Sequence, residues 1–318
     1  MKLARYLGDG KVGVFEEDKP SCPPGGLLVQ TQACGLCSGE LMAWYMDRKV
    51  PHVLGHEVSG QVVESDDFRY PVGSLVAPHH HAPCGSCELC MRGAYVHCPT
   101  WQATKLVPGG MAEFFAVPAE NLADTHLVND LSPSLAALIE PLACVVKCLR
   151  RTSYRPDEKA AVIGLGVMGL FHARLMPNCV AYDFNPERIE RARSQGIDAR
   201  HPDDAEPGAT CVIVCPGTAS ALQFAFNLAG PDARIGLFAP LPPGPQEIDM
   251  ESLYMRDAVL VNSYSCGPND TAEAVSILRT QPFTAEEFVS DFVTLNDLPK
   301  AYAKMKAGEI LKAMVIFE

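Results

Sequence analysis

No apolar run in this chain approaches the ~20 residues that a helix needs to cross a bilayer, so no membrane-spanning helix is expected. The first ten residues, Met1 to Gly10, contain no long apolar stretch and already include Asp9, unlike a secretory leader. A cytoplasmic location is expected. Positive charge is also scarce: 26 Lys and Arg stand against 38 Asp and Glu, a formal net charge of −12. That surplus repels phosphate backbones and anionic lipid, so neither nucleic acid nor a membrane surface is an expected partner. Internal repeats and low-complexity segments are lacking as well, which argues against a solenoid. The 318 residues are 47% apolar and 20% charged, an ordinary balance for a folded globular protein, and the length suits two domains.

Cysteine is abundant, with 13 residues. An odd count in a chain expected to stay in the cytoplasm argues against a disulfide framework, and the clustering argues for metal. Cys84, Cys87, Cys90 and Cys98 follow C-x2-C-x2-C-x7-C, so one tight loop containing Gly85 can aim four thiolates at a single tetrahedral centre. Four thiolates leave no open position, which makes such a zinc structural; the alternative is a set of reduced, unliganded thiols.

The chain changes character along its length. Up to about residue 130, short β-like runs such as Leu27 to Thr31 and Val58 to Val63 alternate with Pro/Gly turns. From about 158 to 282, apolar strands at Ala160 to Gly164, Cys179 to Asp183, Cys211 to Cys215 and Arg234 to Phe238 alternate with helical segments, as in a parallel α/β sheet. The tail offers a helix over Leu298 to Lys306 and a strand over Lys312 to Phe317, and it can return to the first domain. Pro240 to Pro245 is a loop.

Cys37, the pair His56-Glu57 and Glu140 supply one thiolate, one imidazole and two carboxylates. Such a mixed set with a position left open suits a catalytic zinc acting as a Lewis acid. Spacing alone leaves other roles standing: Glu57 as a carboxylate orienting His56, and Glu140 as a charge at a helix start.

Gly164-Leu165-Gly166-Val167-Met168-Gly169 is a G-x-G-x-x-G set between an apolar strand and a helix. Asp183 ends the next strand nineteen residues after Gly164, near the ~20 expected for a carboxylate on the adenosine ribose. Gly164 serves the tight turn, Gly166 the approach of pyrophosphate, and Gly169 the helix-to-strand contact. Asp183 favours NAD over NADP, because a carboxylate accepts from a free 2′-hydroxyl and repels a 2′-phosphate. Arg188 tempers this preference or is a solvated helix charge. Cys215, closing the following strand, is placed with the cofactor residues. Only fourteen residues take the chain from Gly169 to Asp183, and Pro177 interrupts them, so the intervening helix must be brief and cofactor affinity can suffer.

Taken in order, Cys34-Gly35-Leu36-Cys37, Gly55-His56-Glu57, the four-cysteine lobe, Pro108-Gly109-Gly110-Met111-Ala112-Glu113, Glu140-Pro141-Leu142, the glycine fingerprint and Gly308 to Val315 resemble the zinc-containing medium-chain dehydrogenase/reductase superfamily. They are most similar to its branch with sorbitol, other polyol and threonine dehydrogenases. The resemblance implies an α/β protein with a GroES-like β-rich catalytic domain over 1–140 and 286–318, a zinc lobe at about 84–98, and a doubly wound Rossmann NAD-binding domain over 141–285. It places the catalytic cleft where the two domains meet. It implies two zinc ions per chain, NAD as cofactor, a small alcohol or polyol as substrate, and a homodimer or homotetramer, often paired through an edge strand such as Val259 to Tyr264.

By position it makes Cys37, His56 and Glu57 or Glu140 the catalytic zinc ligands. It sets His80 in the substrate pocket and Lys312 near the cofactor phosphates. The implied reaction is reversible oxidation of a secondary alcohol; the alternatives are a β-hydroxy amino acid substrate or an NAD(H) sensor without turnover. The family's usual proton relay is a Ser or Thr two residues after the zinc-binding Cys and often a His five residues after it. Here those positions hold Gly39 and Met42. Replacement candidates are Ser38, Glu40, Glu57, Tyr45 and the run His79-His80-His81. His80 is preferred because an imidazole titrates near neutrality; for His79 and His81 the alternative is an ordinary strand or loop position.

Overall fold

In the computed structural model, which describes residues 1–317, the chain divides into two units. One comprises Met1–Ala143 and the chain from Cys266 onward; the other is Cys144–Ser265. The chain thus returns to the first unit at Cys266 and not at 286. The reason is the helix Pro268–Thr280, whose Thr271 hydroxyl donates to Asp124 and whose Arg279 pairs with Asp130 at 2.8 Å.

The first unit is built around a seven-stranded sheet ordered Asp291–Val293, Ala313–Ile316, Leu27–Gly35, Glu57–Ser65, Leu75–Pro78 and Thr125–Leu127, with Phe114–Val117 also paired to Leu27–Gly35. Leu27–Gly35 is buried at most of its positions, as expected for a strand covered on both faces. Its antiparallel register sets Gly35 opposite Glu57 on one side and opposite Met314 on the other. The end of this strand therefore collects a carboxylate from mid-domain and the C-terminal tail. A three-stranded sheet, ordered Lys11–Glu16, Lys2–Gly8 and His52–Val53, closes over a core that includes Tyr6, Leu36, Met46, Leu54, Phe115 and Tyr302.

The second unit is a parallel six-stranded sheet ordered Asp198–Arg200, Cys179–Tyr182, Ala160–Ile163, Ala209–Val214, Ala229–Leu237 and Val259–Asn262. Counted in chain order this is the 3-2-1-4-5-6 arrangement of dinucleotide-binding sheets, whose strand order reverses beside the first strand. The strands are short and apolar because both faces are covered, with Val162, Val212, Ile213 and Ile235 fully buried. The helix after the first strand spans only Val167–Leu175, nine residues, and ends ahead of Pro177. Val259–Asn262 forms one edge of this sheet. Among the described residues no helix is long and apolar enough to cross a membrane.

Candidate metal and cofactor sites

The four-cysteine lobe gathers Cys84, Cys87, Cys90 and Cys98 around one point, their sulfurs all within 4.8 Å of one another. The separations are 3.9 Å for Cys84–Cys90, 3.5 Å for Cys87–Cys90 and 3.6 Å for Cys84–Cys98. A tetrahedron with Zn–S bonds of about 2.3 Å has sulfur edges of about 3.8 Å, so the set fits zinc without rearrangement. Backbone N–H groups of Ser86 and Cys87 pull the Cys84 thiol down to about 5, favouring the thiolate that a metal needs.

A second group joins Cys37, His56 and Glu57. Its construction begins at the end of Leu27–Gly35, where Cys37 caps the short 3-10 helix Ser38–Leu41 and its sulfur accepts from the Gly39 N–H at 3.4 Å. Glu40, three residues on, accepts from the Cys37 N–H at 3.3 Å, closing a capping box. The same buried carboxylate accepts from the Gly55 N–H at 2.8 Å and lies 3.4 Å from His56 Nδ1. It thereby ties the loop that supplies the thiolate to the loop that supplies the imidazole. Gly55 sits at φ +95°, in the left-handed region, and a Cβ there would strike the Gly110–Met111 backbone, which is hydrogen-bonded to Gly55 and Leu54. That contact explains why Gly55-His56-Glu57 and Pro108-Gly109-Gly110-Met111 occur together.

Burial alone would depress the His56 imidazole. The Cys37 sulfur and the Glu40 carboxylate outweigh it and raise its pKa well above the ordinary value. Burial pushes the Cys37 thiol up, an effect offset in part by His56. A thiolate, an imidazole whose second nitrogen is held by a carboxylate, and a further carboxylate fit zinc with a position left for substrate or water.

Glu57 is buried and pairs with Lys312, which also donates to the Leu36 carbonyl at 3.2 Å. The Lys312 ammonium, expected near cofactor phosphates, is thus buried inside the first unit on the Glu57 carboxylate. The reason is packing: Lys312 is 2% exposed, and a buried ammonium needs a counter-ion. Gly35 lies against this pair, and a Cβ there would crowd the Lys312 side chain at 3.0 Å. Tyr302, from the helix Leu298–Ala307, donates to the Glu40 carbonyl at 2.9 Å, so the tail braces the loop twice.

Glu140 belongs to neither group. It opens the helix Ile139–Arg151 and stands with His79 and Cys266, the ligand atoms of all three within 4.8 Å. His80 is half-buried, its ring centre 6.5 Å from that of His56. Burial, with the neighbouring His81, His56 and His79, pushes its pKa well below the ordinary value. Its Nδ1 is buried without a hydrogen-bond partner. Ser38 is exposed, and the Tyr45 hydroxyl accepts from Lys49 at 2.7 Å. His81 Nδ1 is at 2.6 Å from the Thr104 carbonyl.

In the second unit, Gly164 takes φ +86° and a Cβ on Gly169 would fall on the Gly164 carbonyl, so both glycines are required by the turn. Gly166 differs: a Cβ there would meet nothing, which leaves open space at the N-terminus of Val167–Leu175 where a pyrophosphate fits. Asp183 accepts from the Leu165 N–H at 2.7 Å and the Asn185 N–H at 2.8 Å, with Arg188 3.8 Å away. Cys215 faces His172 Nδ1 at 3.8 Å. His172 is fully buried, and burial lowers it to about 4.

Sequence reasoning named Glu40 only as a relay candidate; its place three residues after Cys37, a capping-box offset, was the signal for its structural role. Nothing local signals the pairing of Lys312 with Glu57, or of His79 with Asp124 and Cys266.

Comparison with known proteins agrees with this geometry. Residues 23–127 match the alcohol dehydrogenase GroES-like domain. The chain is 26% identical to the sorbitol dehydrogenase of Halalkalibacterium halodurans, over 97% of this chain and 96% of that one. It is 28% identical to the D-altritol 5-dehydrogenase of Agrobacterium fabrum, over 96% of each. Among solved structures, alcohol dehydrogenase TADH from Thermus sp. ATN1 superposes with a TM-score of 0.86 at 25% identity, covering 100% of both chains. The GroES-like β-rich domain, the Rossmann sheet and the two metal groups place this chain in the zinc-containing, alcohol dehydrogenase-like medium-chain dehydrogenase/reductase superfamily. It is a zinc-dependent, NAD(P)-linked oxidoreductase of that type.

Proposed function

We propose that the protein reversibly oxidises a secondary alcohol of polyol or sugar-like character, with NAD as the hydride acceptor. The carrying observation is the Cys37–His56–Glu57 group, whose three ligand atoms lie within 4.8 Å of one another; three protein ligands leave the fourth place of a tetrahedral zinc for substrate. Zinc in that group supplies the Lewis acidity that lowers the cost of deprotonating an alcohol. In the balanced reaction the substrate carbon gives a hydride to the nicotinamide ring, the hydroxyl gives a proton to solvent, and a ketone remains.

The chain's own residues set the conditions for this. Glu40 holds His56 in one orientation through Nδ1, leaving Nε2 for the metal. Lys312 balances the Glu57 charge, so one thiolate and one uncompensated carboxylate do not accumulate in a buried site. His80 sets a further polar side chain beside the Cys37–His56–Glu57 group, its ring centre 6.5 Å from that of His56. That side chain favours a polyhydroxylated substrate over a long apolar alcohol, in line with the polyol activities named for the sorbitol and D-altritol relatives. A β-hydroxy amino acid would need a cation for its carboxylate, and the buried Lys312 is committed to Glu57.

Asp183 supports NAD, since its carboxylate would repel a 2′-phosphate. The edge strand Val259–Asn262, with Val259 52% exposed, supports strand pairing in a homodimer or homotetramer, and a cytoplasmic setting goes with this reading. The test is NADH formation by zinc-loaded protein across polyols, sugars, simple secondary alcohols and L-threonine, each with NAD and NADP. Turnover with NAD on a polyol series is expected; silence across the panel with NADH binding intact would sink the reading.

A further inference from the structure

The group His79, Glu140 and Cys266 repeats, with other residues, the construction of the Cys37 centre. In both, a histidine has a ring nitrogen beside a buried carboxylate and stands with a cysteine sulfur and a further carboxylate. His79 Nδ1 is 2.7 Å from Asp124 Oδ2, and His79 Nε2 is 3.6 Å from the Cys266 sulfur. The Glu140 carboxylate is 4.0 Å from the same sulfur. Cys266 and His79 are 0% and 4% exposed. Asp124 is fixed in turn by the Thr271 hydroxyl and by His126 at 3.4 Å, so the supporting carboxylate cannot swing away from the ring. A cavity of about 10 Å³ bordered by His79, His126, Glu140 and Thr271 adjoins the group, about the room of one water.

We propose that His79, Glu140 and Cys266 form a further divalent-cation site, so that each chain holds three metal ions. The donor set decides the class of ion. One thiolate, one imidazole and one carboxylate suit zinc or another borderline-soft transition metal and do not suit magnesium or calcium, which take oxygen ligands. The spacing decides the fit: bonds of about 2.3 Å to sulfur and about 2.05 Å to nitrogen at a tetrahedral angle put S and N about 3.6 Å apart, the separation found between Cys266 and His79. The Asp124 contact leaves the Nε2 lone pair for the metal. Glu140 is one of the two carboxylates, with Glu57, that positional matching offers to the Cys37 centre. In the structure it stands in this second group while Glu57 fills the first. A cation at His79 and Cys266 would keep it there.

The inference does not depend on the proposed substrate, and metal counting separates the two. Zinc per chain is measured by mass spectrometry on protein saturated with zinc and freed of excess ion. Three are expected for the wild type and two for Cys266→Ser. His79→Gln is a second route to the same loss, and far-UV circular dichroism reports that each variant is folded. Cys37→Ser should also give two, and the Cys37→Ser, Cys266→Ser double variant one. Asp124→Asn should weaken one zinc by about 10–100-fold while leaving the count at saturation at three. Two zinc ions in the wild type, unchanged by Cys266→Ser and His79→Gln but reduced by Cys37→Ser, would overturn this site and leave the Cys37 centre standing. Two in the wild type, reduced by Cys266→Ser and untouched by Cys37→Ser, would uphold this site and remove the centre on which the proposed function rests.

Discussion

The four-cysteine lobe and the Cys37 centre are both built from metal-ligating side chains, yet they are assembled in opposite ways. The lobe takes all its ligands from one stretch, Cys84 to Cys98, and its backbone N–H groups bond its own sulfurs, as Cys87 N–H does to Cys84 at 3.4 Å. The centre takes Cys37 from the end of one strand and His56-Glu57 from the start of its neighbour, and depends on Glu40, Tyr302 and Lys312 to hold them. A local site closes on its metal and needs little from the rest of the fold. A dispersed site is as good as the pairings that carry it, but it can keep a ligand position open.

The sharpest way to break this contrast is to remove one cysteine from each. Cys37→Ser should lower turnover by about 1,000-fold or more, because the Lewis-acid contribution is worth several kcal/mol, with little change in the thermal melt. Cys98→Ser should do the reverse, exposing the lobe to limited proteolysis between 84 and 98 while most turnover remains. Lys312→Met tests how far the dispersed centre rests on the tail. It leaves the Glu57 carboxylate buried without its partner, and a loss of about 3–5 kcal/mol in urea unfolding is expected. Adding Glu57→Gln should recover part of that loss. Glu40→Gln should weaken zinc at the centre by about 10–100-fold in a competition titration and leave the lobe's ion untouched. The smallest effect is one of order: with a chelator, the Cys37 centre should lose its zinc, and activity with it, before the lobe gives up its own. Simultaneous loss would mean that the two sites are not built differently in any way that matters.

The same contrast explains what could be read from the sequence. C-x2-C-x2-C-x7-C and G-x-G-x-x-G are local spacings whose geometry the backbone imposes, and the apolar strands of the second unit announce themselves by composition. Whether Glu57 or Glu140 stands with His56 is not local. It follows from the register that sets Gly35 opposite Glu57, and from the helix start that turns Glu140 toward His79 and Cys266. The environment of His80 is not local either: burial and the imidazoles of His81, His56, His79 and His52 push its pKa down. Lys312 matched a phosphate contact by position, but its partner lies 255 residues earlier in the chain, beyond the reach of any pattern. The crossing at Cys266 was missed because Pro268–Thr280 reads as one more helix of the alternating α/β stretch, and only its contacts with Asp124 and Asp130 assign it to the first unit.

Asp183 carries two backbone N–H groups, those of Leu165 and Asn185, on one side chain. Anyone wishing to redesign the nucleotide preference by replacing that acid would remove the support of the glycine turn in the same stroke, leaving the Leu165 N–H without its acceptor. On the proposed reading selectivity and scaffold meet in one residue, so a retuned version needs a second substitution to rebuild the loop before the first can be judged.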